Sequence, residues 1–266
     1  MRVKVDDIEM EVDVVGDAGP VIVLLHGLGG SRLVWTDAAR PLAREARVFV
    51  PDLRGCGLST RGDEEWTLAR AAADIEGMAR QLGLRGAVVV GHSLGGVLAQ
   101  QLVTQPDTCF GAAVLVSTSS RLNEKATANW RRLADLVEAK GLSDSPSAAA
   151  RGFAEDFAEE HPEVVAAHAK ISAATSSRVY AEQARAASSY DFTEALAHVR
   201  CPVLVLQGLA DRLTPPGGSV LLSRALPPGT RLEMIEGAGH NLPVEMPEKF
   251  ARLVLDFAFE VEDEAH

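Results

Sequence analysis

Ala87-Val88-Val89-Val90-Gly91-His92-Ser93-Leu94-Gly95-Gly96 decides how the rest of the chain is read. Ala87 to Val90 offer no polar face, which suits a strand buried on both sides in the middle of a parallel sheet. Gly91 and Gly95 flank Ser93 in a G-x-S-x-G pattern, and Leu94 to Gln105 carry helical spacing. A serine placed so sits on a sharp, strained strand-to-helix turn. The glycines let neighbouring backbones pass closely, and the turn lifts Oγ above the carboxyl edge of the sheet. The helix that follows directs N–H dipoles toward developing negative charge. Ser93 is therefore the candidate nucleophile, and Gly96 favours close packing of helix on sheet.

Working outward, the same doubly apolar signature recurs at Val21 to Leu25, Val48 to Val50, Ala112 to Val116 and Val203 to Leu206. Helical patterns lie between and beyond them, over Trp35 to Arg44, Thr67 to Leu82, Gly218 to Leu226 and Glu245 to Phe259. Strands alternating with helices predict an α/β architecture, a mostly parallel central sheet covered by helices on both faces. Val3 to Val5 and Ile8 to Val15 alternate apolar and charged residues, which predicts an antiparallel hairpin with one wet face. From about Ser119 to Arg200 no strand pattern appears, and Gly141, Pro146, Gly152 and Pro162 divide helical spacing into short pieces. The expected organisation is a core of residues 1–118 and 201–266 with an inserted helical cap at 119–200.

A serine nucleophile needs a base, and the base an orienting acid. Of seven histidines, His161, His168 and His198 fall in the cap segment and His266 ends the chain, so all four are expected to be solvated or incidental. His92 occupies the variable position of the turn and is expected to point away from the reactive side. His26 ends a core strand, where bracing the loop by hydrogen bonding is expected. His240 lies in Glu236-Gly237-Ala238-Gly239-His240, after the strand-like Arg231 to Ile235 and before the last helix. Small neighbours there let an imidazole project over the carboxyl edge, so His240 is the candidate base. Val203 to Leu206 leads into Gln207-Gly208-Leu209-Ala210-Asp211, which makes Asp211 the candidate acid, with Glu124 as the competitor. An Asx-turn or helix-capping role is the structural alternative for Asp211.

Composition narrows the partners. The chain has 266 residues, 47% hydrophobic and 24% charged, with a formal net charge of −11. Such a surface repels phosphate backbones and anionic lipid, so neither nucleic acid nor membrane is expected as a partner. Cys56, Cys109 and Cys201 are too few for a disulfide framework and suit a reducing compartment. No signal-peptide core or bilayer-length apolar run appears, so a cytoplasmic monomer or small homo-oligomer is expected. No His, Cys and acidic cluster has ligand spacing, and no dinucleotide or phosphate-loop glycine motif occurs; the expected cofactor set is none and the expected metal none.

The order Ser93, Asp211, His240, each after a core strand, resembles the α/β-hydrolase superfamily in its small capped esterase and lactonase branch, which includes 3-oxoadipate enol-lactonase-like hydrolases. Two further stretches carry the resemblance. His26-Gly27-Leu28-Gly29-Gly30 resembles the family's oxyanion loop, which implies that the backbone N–H groups of Leu28 and Leu94 hold the oxyanion. Asp52-Leu53-Arg54-Gly55-Cys56-Gly57-Leu58-Ser59 resembles the hallmark D-x-R-G-x-G-x-S, read here as a structural turn in which Cys56 has no activating partner. The resemblance implies hydrolysis of a small apolar carboxylic ester or lactone through an acyl-enzyme on Ser93. Asp211-Arg212-Leu213-Thr214-Pro215-Pro216 is similar to lactonase and small-ester relatives. The same triad also suits a carbon–carbon bond hydrolase, a cofactor-free perhydrolase, or a small-molecule sensor. Expected pocket walls are Trp35, Trp130, Phe153, Phe157, Leu213 and Leu242, each of which can equally fill a core.

Overall fold

Successive side chains of a strand leave on opposite faces of its sheet, and β3 (Val21–Leu25) shows what that does here. Val23 and Leu25 join one hydrophobic cluster, while Ile22 and Leu24 join another. The computed structural model describes residues 1–142 and 146–264; His266 lies outside them. Among the described residues, eight strands form one sheet in the order β1-β2-β4-β3-β5-β6-β7-β8. The hairpin β1 (Arg2–Val5) and β2 (Ile8–Val15) is antiparallel, and β2 also runs antiparallel to β4 (Arg47–Pro51). From β4 onward the pairings are parallel, through β3, β5 (Ala87–His92), β6 (Phe110–Val116), β7 (Val203–Gly208) and β8 (Arg231–Ile235).

Helices cover both faces. Apolar residues of α2 (Leu68–Gln81), α3 (Leu94–Val103) and α10 (Gly217–Ala225) enter the cluster of Val23 and Leu25. Those of α1 (Thr36–Leu42) and α12 (Pro247–Glu264) enter the cluster of Ile22 and Leu24. The predicted helix over Trp35 to Arg44 begins as a 3-10 turn, Arg32–Trp35, whose Ser31 hydroxyl caps Leu33 N–H. The predicted last helix is broken into α11 (Leu242–Glu245) and α12, which starts on Pro247. Proline fits the first helical position because it has no N–H to leave unpaired.

This topology makes a crevice. The chain leaves β3 for α1 on one face and leaves β5 for α3 on the other, while β3 and β5 lie side by side. Ligands bind outside the carboxyl ends of strands at such a switch point. Between β6 and β7 comes the helical insertion of α4 (Glu124–Lys140), α5 (Pro146–Ala149), α6 (Glu155–Glu160), α7 (Pro162–Ala173), α8 (Ser177–Ala186) and α9 (Thr193–Leu196). Asn123 and Ser176 cap α4 and α8 through side-chain oxygens. These two helices meet at Ala134, Ala181 and Ala184, small residues that permit close approach.

The turn after β4 is structural. The Asp52 carboxylate accepts the N–H groups of Arg32 (2.6 Å) and Leu58 (2.8 Å) and pairs with the Arg32 guanidinium at 2.7 Å. A side chain at Gly57 would overlap that carboxylate. Buried Arg54 holds Asp74 of α2 at 2.6 Å and Asp7 of the β1–β2 turn at 3.1 Å. Cys56 is fully buried, and burial pushes its thiol up to about 12, so no thiolate nucleophile forms there at neutral pH. Among the described residues no helix is long and apolar enough to cross a membrane.

Candidate active site

Ser93 sits at φ 54°, ψ −115°, a left-handed conformation that a non-glycine residue adopts at a cost of about 1–3 kcal/mol. Its N–H is fixed on the Val116 carbonyl at 2.9 Å and its carbonyl accepts the Thr118 hydroxyl at 3.0 Å. A Cβ at Gly91 would overlap the Gly95 carbonyl, and one at Gly95 would overlap the Leu25 carbonyl. The two glycines let β5 turn into α3 against β3. Leu94 N–H opens α3 and has no intrahelical acceptor.

Asp211 and His240 come together from the ends of β7 and β8. His240 Nδ1 lies 2.9 Å from Asp211 Oδ2; its hydrogen bond to the carboxylate leaves Nε2 as the free ring nitrogen. Asp211 is 4% exposed, yet both oxygens are served. Oδ1 accepts the N–H groups of Leu213 and Thr214 at 2.8 Å each, and Oδ2 accepts the Gln207 amide at 3.1 Å. Burial pushes the Asp211 carboxyl upward, but the bond from His240, its field and the other donors outweigh it and hold the group below its usual range.

The His240 loop is tied on two sides. His92 Nε2 donates to the His240 carbonyl at 2.8 Å, and burial together with the nearby His240 ring depresses its pKa to about 3, so it stays neutral. The expectation that His92 points away fails: its ring is 4.8 Å from that of His240, because the peptide it supports belongs to that loop. Facing the insertion, Asn241 N and Nδ2 both donate to Gly152 O at 3.0 Å. Buried Glu245 Oε2 accepts both Gly239 N and Ala154 N at 2.9 Å.

The loop after β3 faces Ser93 from the other side. His26 Nε2 accepts Leu53 N–H at 3.0 Å, which leaves Nδ1–H to donate to Gly27 O at 2.9 Å. Gly29, at φ 68°, gives its N–H to Gln183 Oε1 and receives the Thr175 hydroxyl on its carbonyl, both at 2.9 Å. A methyl group on Gly29 would lie 2.5 Å from the Tyr180 ring. The neighbouring Leu28 N–H takes no acceptor among the described residues.

Two cavities meet at Ser93, Leu28, Trp130 and Leu213. The first, about 240 Å³, also holds His240, Trp35, His92, His168, Ser172 and Tyr180. The second, about 690 Å³, holds Leu94, Val97, Ser117 and Thr118, with Arg121, Glu124 and Asp191 among its walls. Trp35, Trp130 and Leu213 line a cavity, while Glu124 lies in the second cavity and Asp211 pairs with His240.

Three expected walls do not line either cavity. Leu242 is fully buried in the core cluster of α12. Phe153 is buried, stacked on Phe157 at 5.6 Å, and meets the edge of His168 at 5.4 Å. The two phenylalanines support the wall instead of forming it. His168, expected to be solvated or incidental, lines the first cavity, and burial followed by the field of His240 lowers its pKa to about 4. His198 is exposed, and His161 is half-exposed with Nδ1 3.6 Å from Glu163. Among the described residues no group of three or more His, Cys, Asp and Glu side chains is arranged to hold a metal ion.

A strained serine at a β5–α3 turn, beside an Asp-paired histidine on an eight-stranded sheet, defines a class of protein, and comparison agrees. Residues 22–253 match the model of the alpha/beta hydrolase family, and the chain belongs to that family. It is 30% identical over 254 residues to RutD of Escherichia coli (strain K12 / DH10B), provisionally named a carbamate hydrolase, with 89% of this chain and 90% of that one covered. It is 26% identical over 250 residues to 3-oxoadipate enol-lactonase 2 of Acinetobacter baylyi, covering 93% and 92%. Among solved structures, a thermophilic esterase from Thermogutta terrifontis superposes with a TM-score of 0.90 at 29% identity, covering 98% of this chain and 99% of that one.

Proposed function

We propose that the protein hydrolyses a carboxylic ester or lactone through an acyl-enzyme on Ser93. The observation that carries this reading is the joint placement of Ser93 and the Asp211-paired His240 on one cavity. His240 Nε2 takes the Ser93 proton as Oγ attacks the carbonyl carbon, and the Asp211 carboxylate holds the imidazolium that forms. The free N–H groups of Leu28 and Leu94 receive the oxyanion. The tetrahedral intermediate collapses, the alcohol leaves with a proton from His240, and water attacks the acyl-enzyme by the same route. The segment 119–200 acts as a cap that shapes the substrate site, since α4, α7 and α8 supply Trp130, His168, Ser172 and Tyr180 to it.

Likeness to an esterase and an enol-lactonase supports the ester or lactone. The 30% identity to RutD favours a carbamate as the second reading, because a carbamate carbonyl offers the same attack. The test is turnover of short esters, lactones and carbamates by wild type and Ser93→Ala. Loss of on the order of a millionfold in kcat is expected from the substitution. A Ser93→Ala protein that still turns over its best substrate would sink the mechanism.

A further inference from the structure

The described walls of the first cavity carry no side chain of fixed charge. Among the described residues its walls include no aspartate, glutamate, lysine or arginine. Its polar side chains include Ser93, His240, the neutral His92 ring, and Asn241, which is committed to Gly152. From the insertion come His168 and Ser172, one helical turn apart on α7, and Tyr180 on α8. Among the described residues, neither the His168 ring nor the Ser172 hydroxyl has a hydrogen-bond partner, and the Phe153 ring holds the His168 imidazole edge-on at 5.4 Å. Behind His240 stands the Asp211 carboxylate.

An anionic group entering this space would lose its water and find no cation among the described walls, with the Asp211 carboxylate behind His240, which is costly in a desolvated site. A cationic group would find no free carboxylate among the described walls. A neutral imidazole offers one donor and one acceptor, so it suits a carbonyl, hydroxyl or amide. We infer that the moiety bound beside His240 is uncharged and carries a second neutral hydrogen-bonding group, with His168 as the specificity-determining residue that receives it. This rests on the ester or lactone reading and narrows its substrate class. A low His168 pKa agrees with a ring that stays neutral across the working range.

Two matched ester sets test it. With 4-nitrophenol as the leaving group, the acyl chain is pentanoate, 4-oxopentanoate or hemisuccinate, the last two isosteric and differing in charge. With butyrate as the acyl group, the alcohol is butyl, 3-oxobutyl or 2-carboxyethyl, matched in the same way. In the set whose variable part occupies this cavity, the keto ester is expected to exceed its anionic isostere at least about tenfold in kcat/KM. His168→Leu is expected to lower the ratio of keto to alkyl ester by about fivefold, and His168→Gln to restore most of it.

Equal rates for keto and anionic esters in both sets would overturn the inference, as would a keto-to-alkyl ratio unmoved by His168→Leu. Titrating Ser93→Ala with the same esters reads the charge preference as binding, independent of turnover. Wild type that hydrolyses every ester without regard to charge sinks only this inference. Hydrolysis that survives Ser93→Ala sinks the serine mechanism while the binding preference is still read.

Discussion

Asp211 has no lone pair left facing empty space: His240, Gln207, Leu213 and Thr214 all donate to it. Such a carboxylate orients the imidazole and is also a stability element whose sign with pH is fixed. Its pKa is lower folded than unfolded, so its contribution is fully present above the unfolded value of about 3.9 and is lost as pH falls through the folded value. Urea unfolding between neutral pH and pH 2 is expected to show wild type losing stability at the acid end, and Asp211→Asn losing less there. In turnover, Asp211→Asn is expected to fall by about 10⁴ through the wrong histidine tautomer. A drop below tenfold would mean that Asp211 is structural only.

Why Asp211 and His240 were legible, and His168 was not, is a matter of frames. Asp211 follows a strand whose apolar run announces itself, His240 follows the strand-like Arg231 to Ile235, and a strand end in a parallel sheet has a known edge to face. Pro162–Ala173 is rich in alanine around its whole circumference, so no apolar stripe tells which side of α7 is inward. Phe153, Phe157 and Leu242 show the converse. Aromatic and aliphatic residues near a site advertise burial, but whether they touch the cavity or stand behind its wall depends on packing between segments distant in sequence.

At the scale of elements, the contact between α8 and the loop after β3 carries the most consequence. Gln183 and Thr175 take both polar groups of the Gly29 peptide unit's residue, and Gln183 Nε2 reaches Cys56 Sγ at 3.1 Å. The clamp fixes the residue next to Leu28, and under the proposed mechanism it aims the Leu28 N–H. Gln183→Leu is expected to lower kcat by about 10–100-fold, less than removal of a whole oxyanion donor, with KM moved far less. The affinity for a boronic acid that mimics the tetrahedral state should fall in proportion to kcat. Weakened substrate binding with an unchanged boronate constant would show that Gln183 shapes the pocket and does not aim the N–H. The paired motifs at Ser93 and Gly29 were readable from local sequence; their partner on α8 was not, since 154 residues separate Gly29 from Gln183.

For the whole molecule, Arg54 ties three parts together: the turn after β4, helix α2 through Asp74, and the N-terminal hairpin through Asp7. Arg54 and Asp74 are 1% and 2% exposed, so removing one leaves the other charged and buried. Asp74→Ala is expected to destabilise by about 3–5 kcal/mol in denaturant unfolding. A cost under about 1 kcal/mol, the worth of an exposed pair, would show that water reaches the site. The mostly parallel sheet and the antiparallel hairpin followed from apolar periodicity, but this tie did not, because a buried arginine looks like any surface one until its two acids are placed.

The Gly29 clamp also sets an order of events in time. Trp35 and Trp66 sit in the two sheet clusters and are buried as the sheet closes on its helices, whereas Gln183 and Thr175 belong to a segment that must dock on that sheet from outside. During refolding of the full chain, the sheet is able to assemble around Ser93 while the loop beside it still lacks its two anchors. Competence for turnover is then the last property the chain acquires.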